Sequence, residues 1–171
     1  MRAVVQKVLE ADIEVVNNVD LVHVNHIDRG LVALLGIGKD DNHTDIAYIA
    51  DKLAYMRIFA DDDGKMNHSV QDIDGEILLI SQFTLFGDLR HGRRPSFTQA
   101  ADPQHARMLY HELTDHLLDM GLKVKTGHFQ THMQVSLNNN GPATLLLASK
   151  TQLYNPRRFT PPRHIPTLHS P

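Results

Sequence analysis

The sequence predicts an α+β domain in which two helices cover a mixed, mostly antiparallel sheet. Short apolar or alternating segments, typical of strands, clearly outnumber the helical patterns. Only residues 44–56 and 103–120 space their apolar side chains as amphipathic helices do. The runs 31–37 and 76–81 are continuously apolar, which is typical of strands buried on both faces. Helices packed on such a sheet give the α+β arrangement.

Strand patterns begin at the start of the chain. Residues 4–8 are predicted to form a strand, within an N-terminal stretch, 1–7, whose pattern is typical of one. Residues 13–16 and 21–27 flank Asn17-Asn18 and predict a hairpin. The remaining predicted strands are 31–37, 76–81, 122–126, 133–137 and 143–147.

Both predicted helices have recognisable ends. Asn42 or Thr44 can cap the first helix, because either side chain can accept a hydrogen bond from a free backbone N–H. The second begins at Asp102-Pro103, with Pro at the favoured first position, and Gly121 ends it.

Composition limits the class of protein. The 171 residues predict one domain, 1–150, followed by a mobile Pro/Arg-rich tail, 151–171, outside the core. The absence of Cys excludes disulfides, thiolate nucleophiles and thiolate metal sites. No apolar run is long enough to cross a bilayer, and the N-terminus lacks a signal-peptide core. We therefore expect a cytoplasmic protein with no membrane partner.

Charge argues against a protein that coats nucleic acid nonspecifically, since the formal net charge is -3. A local basic cluster, formed by Arg90, His91, Arg93 and Arg94, is nevertheless compatible with RNA contact. Two interpretations stay open, a solvated loop and a phosphate-binding surface.

Polar residues end the second buried strand, in Ser81-Gln82-Phe83-Thr84-Leu85. The simpler interpretation is a strand that leaves the core and meets water. The alternative is a ligand site, because clustered hydrogen-bonding groups at a strand end are common in binding pockets. No Gly-x-Ser-x-Gly surrounds Ser81, and no His is paired with Thr84 by sequence, so a conventional catalytic triad is not predicted.

The segment Asn139-Asn140-Gly141-Pro142-Ala143-Thr144 lies between two predicted strands. Asn-Gly is a strong hairpin signal, so a turn is one interpretation. The other is a rigid backbone device, because Pro donates no ladder hydrogen bond and Gly adds no side chain to a core.

Twelve histidines raise the question of a metal site. His23 and His26 are three apart in a predicted strand, which places them on opposite faces. His111 and His116 diverge around a helix. We therefore predict no metal and no cofactor.

The two motifs together resemble those of the D-aminoacyl-tRNA deacylase family. Ser81-Gln82-Phe83-Thr84-Leu85 is similar to one signature, and Asn139-x-Gly141-Pro142-x-Thr144 is similar to the other. The stretches 4–8, 55–59, 94–97 and 126–137 extend the similarity, which covers residues 1 to about 149. Either motif alone is weak, but both in this order are specific.

The resemblance implies a barrel-like core in a homodimer, with active sites at the subunit interface. It implies hydrolysis of the ester between a D-amino acid and the terminal adenosine of tRNA, without metal or cofactor. Mischarged glycyl-tRNA is expected to be a further substrate, since glycine has no side chain to reject. The alternatives are a non-catalytic tRNA-binding module on the same fold and a related deacylase, with a trans Gly-Pro, that acts on L-aminoacyl-tRNA.

Residue roles follow from the same resemblance. Gln82, Phe83 and Thr84 are expected at the catalytic end, with Thr84 as nucleophile or with the ribose 2′-OH assisting water. Backbone N–H groups near Phe83 and Thr84 are the candidate oxyanion donors. The expected pocket residues are Ser81, Ala101, Phe129 and Met133.

A cis Gly141-Pro142 peptide is expected to enter the partner's pocket, where its carbonyls bind the substrate amine and its backbone rejects L side chains. Two residues depart from the family pattern. Lys7 stands where Arg helps to hold this loop, and Lys lacks the bidentate guanidinium. Ala143 stands where Val is usual.

Overall fold

A computed structural model describes residues 1–17 and 20–150 of the chain. The predicted tail, 151–171, lies outside the described residues, as does Asn18 of the predicted hairpin turn. The helices are α1 (His43–Tyr55) and α2 (Pro103–Asp119). The strands are β1 (Arg2–Asn17), β2 (Asp20–Ile27), β3 (Gly30–Gly36), β4 (Phe59–Ala60), β5 (Met66–His68), β6 (Glu76–Ser81), β7 (Lys123–Thr126) and β8 (Met133–Ala148).

Strand β1 is the centre of the six-stranded main sheet. Along one edge it pairs antiparallel with β3 through its first half and with β2 through its second half. Along the other edge it pairs antiparallel with β8. Strands β3, β6 and β7 continue the sheet in parallel. The predicted mixed, mostly antiparallel sheet is therefore confirmed.

The main sheet curls into a nearly closed barrel. The side chain of Asn25 on β2 donates a hydrogen bond to the carbonyl of Thr126 on β7, with Nδ2 and O 2.6 Å apart. This contact joins the two ends of the strand order β2-β1-β3-β6-β7.

Alternate residues of β3 and β6 fill two separate cores. Leu31, Leu35 and Leu79 pack with the buried faces of α1 and α2, whereas Val32 and Leu78 point into the barrel. The two continuous apolar runs are thus buried on both faces, as predicted.

Capping residues fix the starts of both helices. Asn42, one of the two predicted caps, accepts a hydrogen bond from the Thr44 N–H, and Asp45 completes a capping box. Asp102 caps α2, whose first residue is Pro103, as predicted. No helix of the described residues is long and apolar enough to cross a membrane.

Buried charges tie β1 and β8 to the start of α1. The α-amino group of Met1 lies 2.7 Å from Asp41 Oδ2 and donates to Ser149 Oγ. Lys150 Nζ lies 3.1 Å from Asp41 Oδ1. Both carboxylates, of Asp41 and Asp45, are buried and paired, so their burial leaves no unmatched charge.

The hairpin interpretation of 139–144 is wrong. The runs 133–137 and 143–147 belong to one strand, β8, and both pair with β1 in the same antiparallel sense. Val8 pairs with Asn139 and Gln6 pairs with Thr144, so Lys7 alone faces the four residues 140–143. The Gly-Pro segment is therefore a bulge in a continuing strand.

Candidate active site

A cavity of about 680 Å³ opens at the carboxyl end of β6. It is walled by the end of β6, the start of α2 and the segment that leads into β8. The lining residues are Ile37, Ile80, Ser81, Gln82, Phe83, Ala101, Pro103, Ala106, Phe129, Gln130, Thr131, His132, Met133 and Val135.

The cavity brings together six of the predicted site residues, which the sequence separates by about fifty positions. They are Ser81, Gln82, Phe83, Ala101, Phe129 and Met133. The other four, Lys7, Thr84, Gly141 and Pro142, do not line the cavity of their own chain. Their roles remain predictions.

Small residues at the end of β3 let the first motif fold against the sheet. The Gln82 N–H donates to Leu35 O at 2.7 Å, and the chain then enters a 3-10 turn, Phe83–Phe86. A Cβ added at Gly36 would lie 3.1 Å from Gln82 O and 3.0 Å from Leu85 Cβ. Glycine at this position therefore permits the turn to pack closely on β3.

Arg2 fixes the far end of this turn. Its guanidinium donates to Leu85 O at 2.9 Å and lies 4.4 Å from the centre of the Phe86 ring. This contact joins residues more than eighty positions apart, so no local pattern predicts it.

Phe83 stands at the mouth of the cavity with 56% of its surface exposed. Its ring meets the edge of Phe97 at 5.0 Å between centroids, so the segment 94–97 supports it. The N–H groups of Phe83 and Thr84 begin the 3-10 turn and find no acceptor among the described residues. They are available to an oxyanion.

The Thr84 hydroxyl is bound to an amide rather than to a base. Gln82 Nε2 donates a hydrogen bond to Thr84 Oγ1. Within 1–17 and 20–150, no His, Asp or Glu side chain makes a hydrogen bond with this hydroxyl. The described residues thus include no base that is hydrogen-bonded to this hydroxyl.

Tyr110 and Arg107 on α2 support the Phe129 wall, although sequence reasoning gave them no such role. The Tyr110 hydroxyl donates to Leu79 O at 2.7 Å, and burial raises the pKa of this phenol. Its ring centroid lies 5.8 Å from that of Phe129. The Arg107 guanidinium carbon lies 5.2 Å from the Phe129 centroid.

The Gly141–Pro142 peptide is cis, the geometry that the resemblance implies. Gly141 has φ +129°, a backbone angle that L side chains rarely adopt, and a Cβ there would lie 3.0 Å from Ala143 N. Both residues are exposed.

The Asn139 side chain holds the base of this bulge. Its Oδ1 accepts from Ala143 N and its Nδ2 donates to Thr144 Oγ1, each at 3.0 Å. The Lys7 side chain, opposite the bulge, makes no hydrogen bond or ion pair with any described residue. Asn139 is therefore the anchor that sequence reasoning missed, although it belongs to the motif.

In the basic cluster 90–94, the charge of Arg90 is balanced by the carboxylate of Asp88. The Arg90 Nε donates to Asp88 Oδ1 at 2.8 Å, and this pairing lowers the pKa of Asp88 well below its usual range. Arg93 and Arg94 are exposed and form no ion pair within the described part of the chain. The loop reaches the site through the contact of Phe97 with Phe83.

The expectation that His23 and His26 occupy opposite faces is wrong. Ile13 pairs with Asn25 and Glu14 with His23, so Val24 is an extra residue in β2. This β-bulge reverses the alternation and brings both imidazoles to Asp12, at 3.4 and 2.9 Å from its Oδ1. No group of three or more His, Asp or Glu in the described ranges is placed to hold a metal ion.

Comparisons with known proteins agree on one family. The family model described as D-Tyr-tRNA(Tyr) deacylase matches residues 4–148. A Thermosipho africanus protein named D-aminoacyl-tRNA deacylase is 53% identical over 150 residues, 88% of this chain and 98% of that protein. A Thermotoga petrophila protein of the same name is 52% identical over 149 residues, 87% of this chain and 97% of that protein.

A solved structure extends the similarity to three dimensions. It is described as "c-Myc DNA Unwinding Element Binding Protein" and superposes with a TM-score of 0.80 at 34% sequence identity. The match covers 88% of this chain and 99% of that one.

Proposed function

The chain belongs to the D-Tyr-tRNA(Tyr) deacylase family, and we infer that it hydrolyses the ester of D-aminoacyl-tRNA. The products are the free D-amino acid and tRNA. The observation that carries this proposal is that Ser81, Gln82 and Phe83 line the same cavity as Ala101, Phe129 and Met133. Such a cavity suits the 3′-terminal adenosine with its esterified amino acid.

Backbone N–H groups supply the charge stabilisation that ester hydrolysis requires. Attack on the ester carbonyl places negative charge on its oxygen, which the N–H groups of Phe83 and Thr84 are free to bind. Phe83 offers an exposed aromatic face on which the adenine base stacks.

Water assisted by the ribose 2′-OH is the proposed nucleophile. Water adds to the carbonyl carbon, the bond to the ribose oxygen breaks, and that oxygen leaves with a proton as the tRNA hydroxyl. The neighbouring 2′-OH orients the water. Among the described residues, no base is hydrogen-bonded to the Thr84 hydroxyl, which favours this route over attack by that hydroxyl.

Chiral selection is assigned to the carbonyls of Gly141 and Pro142. They accept hydrogen bonds from the substrate α-amino group, so an L side chain would collide with the Gly-Pro backbone while a D side chain points outwards. Because the site excludes L side chains and does not bind any particular D side chain, it should accept many D-amino acids. It also admits glycyl-tRNA, because glycine offers nothing to reject.

A homodimer supplies this gate across the subunit interface. Gly141 and Pro142 are exposed and do not line the cavity of their own chain, which suits delivery into a partner's cavity. Strand β8 pairs only with β1 among the described strands, and it exposes Val135, Leu145 and Leu146. An unpaired apolar edge is typical of an interaction surface.

Deacylation assays with matched enantiomers test the function. Purified protein should release D-tyrosine from D-Tyr-tRNA and glycine from Gly-tRNA, and should leave L-Tyr-tRNA intact. Equal rates on both enantiomers would refute the chiral selection. Binding of D-Tyr-tRNA without release would instead support the non-catalytic module.

A further inference from the structure

A second groove adjoins the candidate active site on the surface of α2. Its volume is about 480 Å³, and its lining residues are Pro103, Gln104, Arg107, Met108, His111 and Gln130. Pro103 and Gln130 also line the first cavity, so the two spaces share a wall. A chain-like ligand leaving the first cavity over this wall would enter the groove directly.

Two contacts fix the position of the Arg107 guanidinium at the wall that the two cavities share. Its Nη2 donates to Gln130 Oε1 at 2.9 Å, and its guanidinium lies over the Phe129 ring. In the part of the chain that the structure describes, no carboxylate lies within ion-pair distance of Arg107. The guanidinium therefore keeps its charge and further N–H groups for an anion or a planar ring.

Two other groove residues, Met108 and His111, offer surfaces on which a ring can stack. Met108 is 54% exposed, and His111 presents an exposed imidazole one helical turn after Arg107. Aromatic, thioether and guanidinium surfaces suit a flat, uncharged ring, which they can contact on its face.

Gln130, which lines both cavities, has an unusual backbone conformation. Its φ is +59°, in the left-handed region where residues other than glycine are uncommon. This conformation holds its side chain against Arg107, between the two cavities. Such outliers concentrate where a ligand is positioned.

We propose that this groove binds the nucleotide that precedes the terminal adenosine of the RNA substrate, with its base on Met108 and His111 and its phosphate at Arg107. The inference rests on the proposed deacylase function. A nucleotide is favoured because the groove continues the adenosine cavity, combines flat apolar surfaces with one cation, and is open to solvent.

Two model esters isolate this nucleotide. One is 3′-O-D-tyrosyl adenosine, and the other is the same ester of the dinucleotide CpA. In the wild-type protein we expect the dinucleotide ester to show about tenfold higher kcat/KM, the gain typical of one stacked base. The gain should arise mainly in KM, because the added nucleotide lies away from the ester.

The ratio of the two kcat/KM values is then measured in Arg107→Ala, His111→Ala and the double variant. It should fall towards one in the double variant, and Arg107→Lys should recover part of it. Arg57→Ala is the matched control, since Arg57 is an exposed arginine away from both cavities, and it should keep the wild-type ratio.

The possible outcomes separate the two proposals. A wild-type ratio near one, or a ratio unchanged in the double variant, would overturn the nucleotide site while leaving the deacylase function intact. Loss of the dimer on Arg107→Ala, seen by analytical ultracentrifugation, would reassign the groove to a subunit contact. Failure to hydrolyse either ester or D-Tyr-tRNA would remove the deacylase function and this inference with it.

Discussion

The contact between Gln82 and Thr84 sets what the Thr84 hydroxyl can do. An amide N–H donates to the hydroxyl oxygen and so orients it, but an amide does not take up a proton. A threonine nucleophile needs a base or a lowered pKa. Thr84 is better suited to holding the Gln82 side chain in place than to attacking the ester.

Replacing Thr84 by Ala should therefore lower kcat by less than about tenfold, the effect of one lost hydrogen bond. A D-Tyr-tRNA that ends in 2′-deoxyadenosine should lose at least about a hundredfold, because it lacks the assisting hydroxyl. Single-turnover rates measure both effects. Thr84→Ser is the control, and full activity in Ser with none in Ala would make Thr84 the nucleophile.

Gly141 has a backbone conformation that L side chains rarely adopt. Gly141→Ala should lower the D-to-L ratio of kcat/KM by about tenfold or more, because φ +129° strains Ala and the nearby carbonyls must move. Hydrolysis of D- and L-Tyr-tRNA measures the ratio. Asn140→Ala, the neighbouring change in the same bulge, should keep it, and an unaltered ratio in Gly141→Ala would argue against the gate.

At the scale of elements, strand pairing explains which predictions failed. The apolar runs and the helix caps are local signals, so β3, β6, α1 and α2 could be predicted from the sequence. The sequence predicts two strands, 4–8 and 13–16, within β1, and the break between them contains Leu9 and Glu10. They face the single residue 138 between the pairs Val8–Asn139 and Ala11–Leu137. Such a bulge depends on the partner strand and leaves no reliable local pattern.

The bulge in β2 creates a pH-dependent contact between β1 and β2. Hydrogen bonds to Asp12 and Asp28 raise the pKa of His26 above its ordinary 6.5, and the hydrogen bond to His26 lowers that of Asp12. The His26 contribution is therefore complete below about pH 6.5 and is lost as pH rises through the raised pKa. The Asp12 contribution is lost only as pH falls through its own lowered pKa.

His26→Asn should consequently lower the Tm at pH 5.5 and have little effect at pH 8.5. The expected difference is at most a few degrees, because both partners are exposed to solvent. Thermal unfolding followed by circular dichroism at the two pH values measures it. His128→Asn, an exposed histidine without an ion pair among the described residues, is the control. Equal losses for His26→Asn at both pH values would refute the charge contribution.

At the scale of the molecule, the candidate site combines parts that the chain keeps far apart. The cavity takes residues from the end of β6, the start of α2 and the entrance to β8, whereas the Gly-Pro bulge lies outside it. Residue patterns alone left Ser81–Leu85 open as an ordinary strand end. Six of the ten site residues expected from the resemblance line this cavity. Tyr110 and Arg107 act through tertiary contacts that no motif records, and Asn139 acts through local contacts within its own motif.

Subunit mixing tests where the Gly-Pro gate acts. Gly141→Ala protein, which should hydrolyse L-Tyr-tRNA, is co-expressed with an excess of Phe83→Ala protein, whose cavity should be inactive. If each subunit supplies the gate to its partner, the mixed dimer pairs an intact cavity with an intact gate. L-Tyr-tRNA hydrolysis per Gly141→Ala subunit should then fall several-fold, while D-Tyr-tRNA hydrolysis persists.

The matched control is the double variant Phe83→Ala/Gly141→Ala, which brings an inactive cavity and an altered gate. Mixing with this partner should leave the L-Tyr-tRNA rate per Gly141→Ala subunit unchanged, because no intact gate is supplied. Differently tagged subunits allow the mixed dimer to be purified and assayed directly. If Phe83→Ala and the double variant have the same effect, the gate acts within one chain, and β8 would have to bend its bulge towards its own cavity.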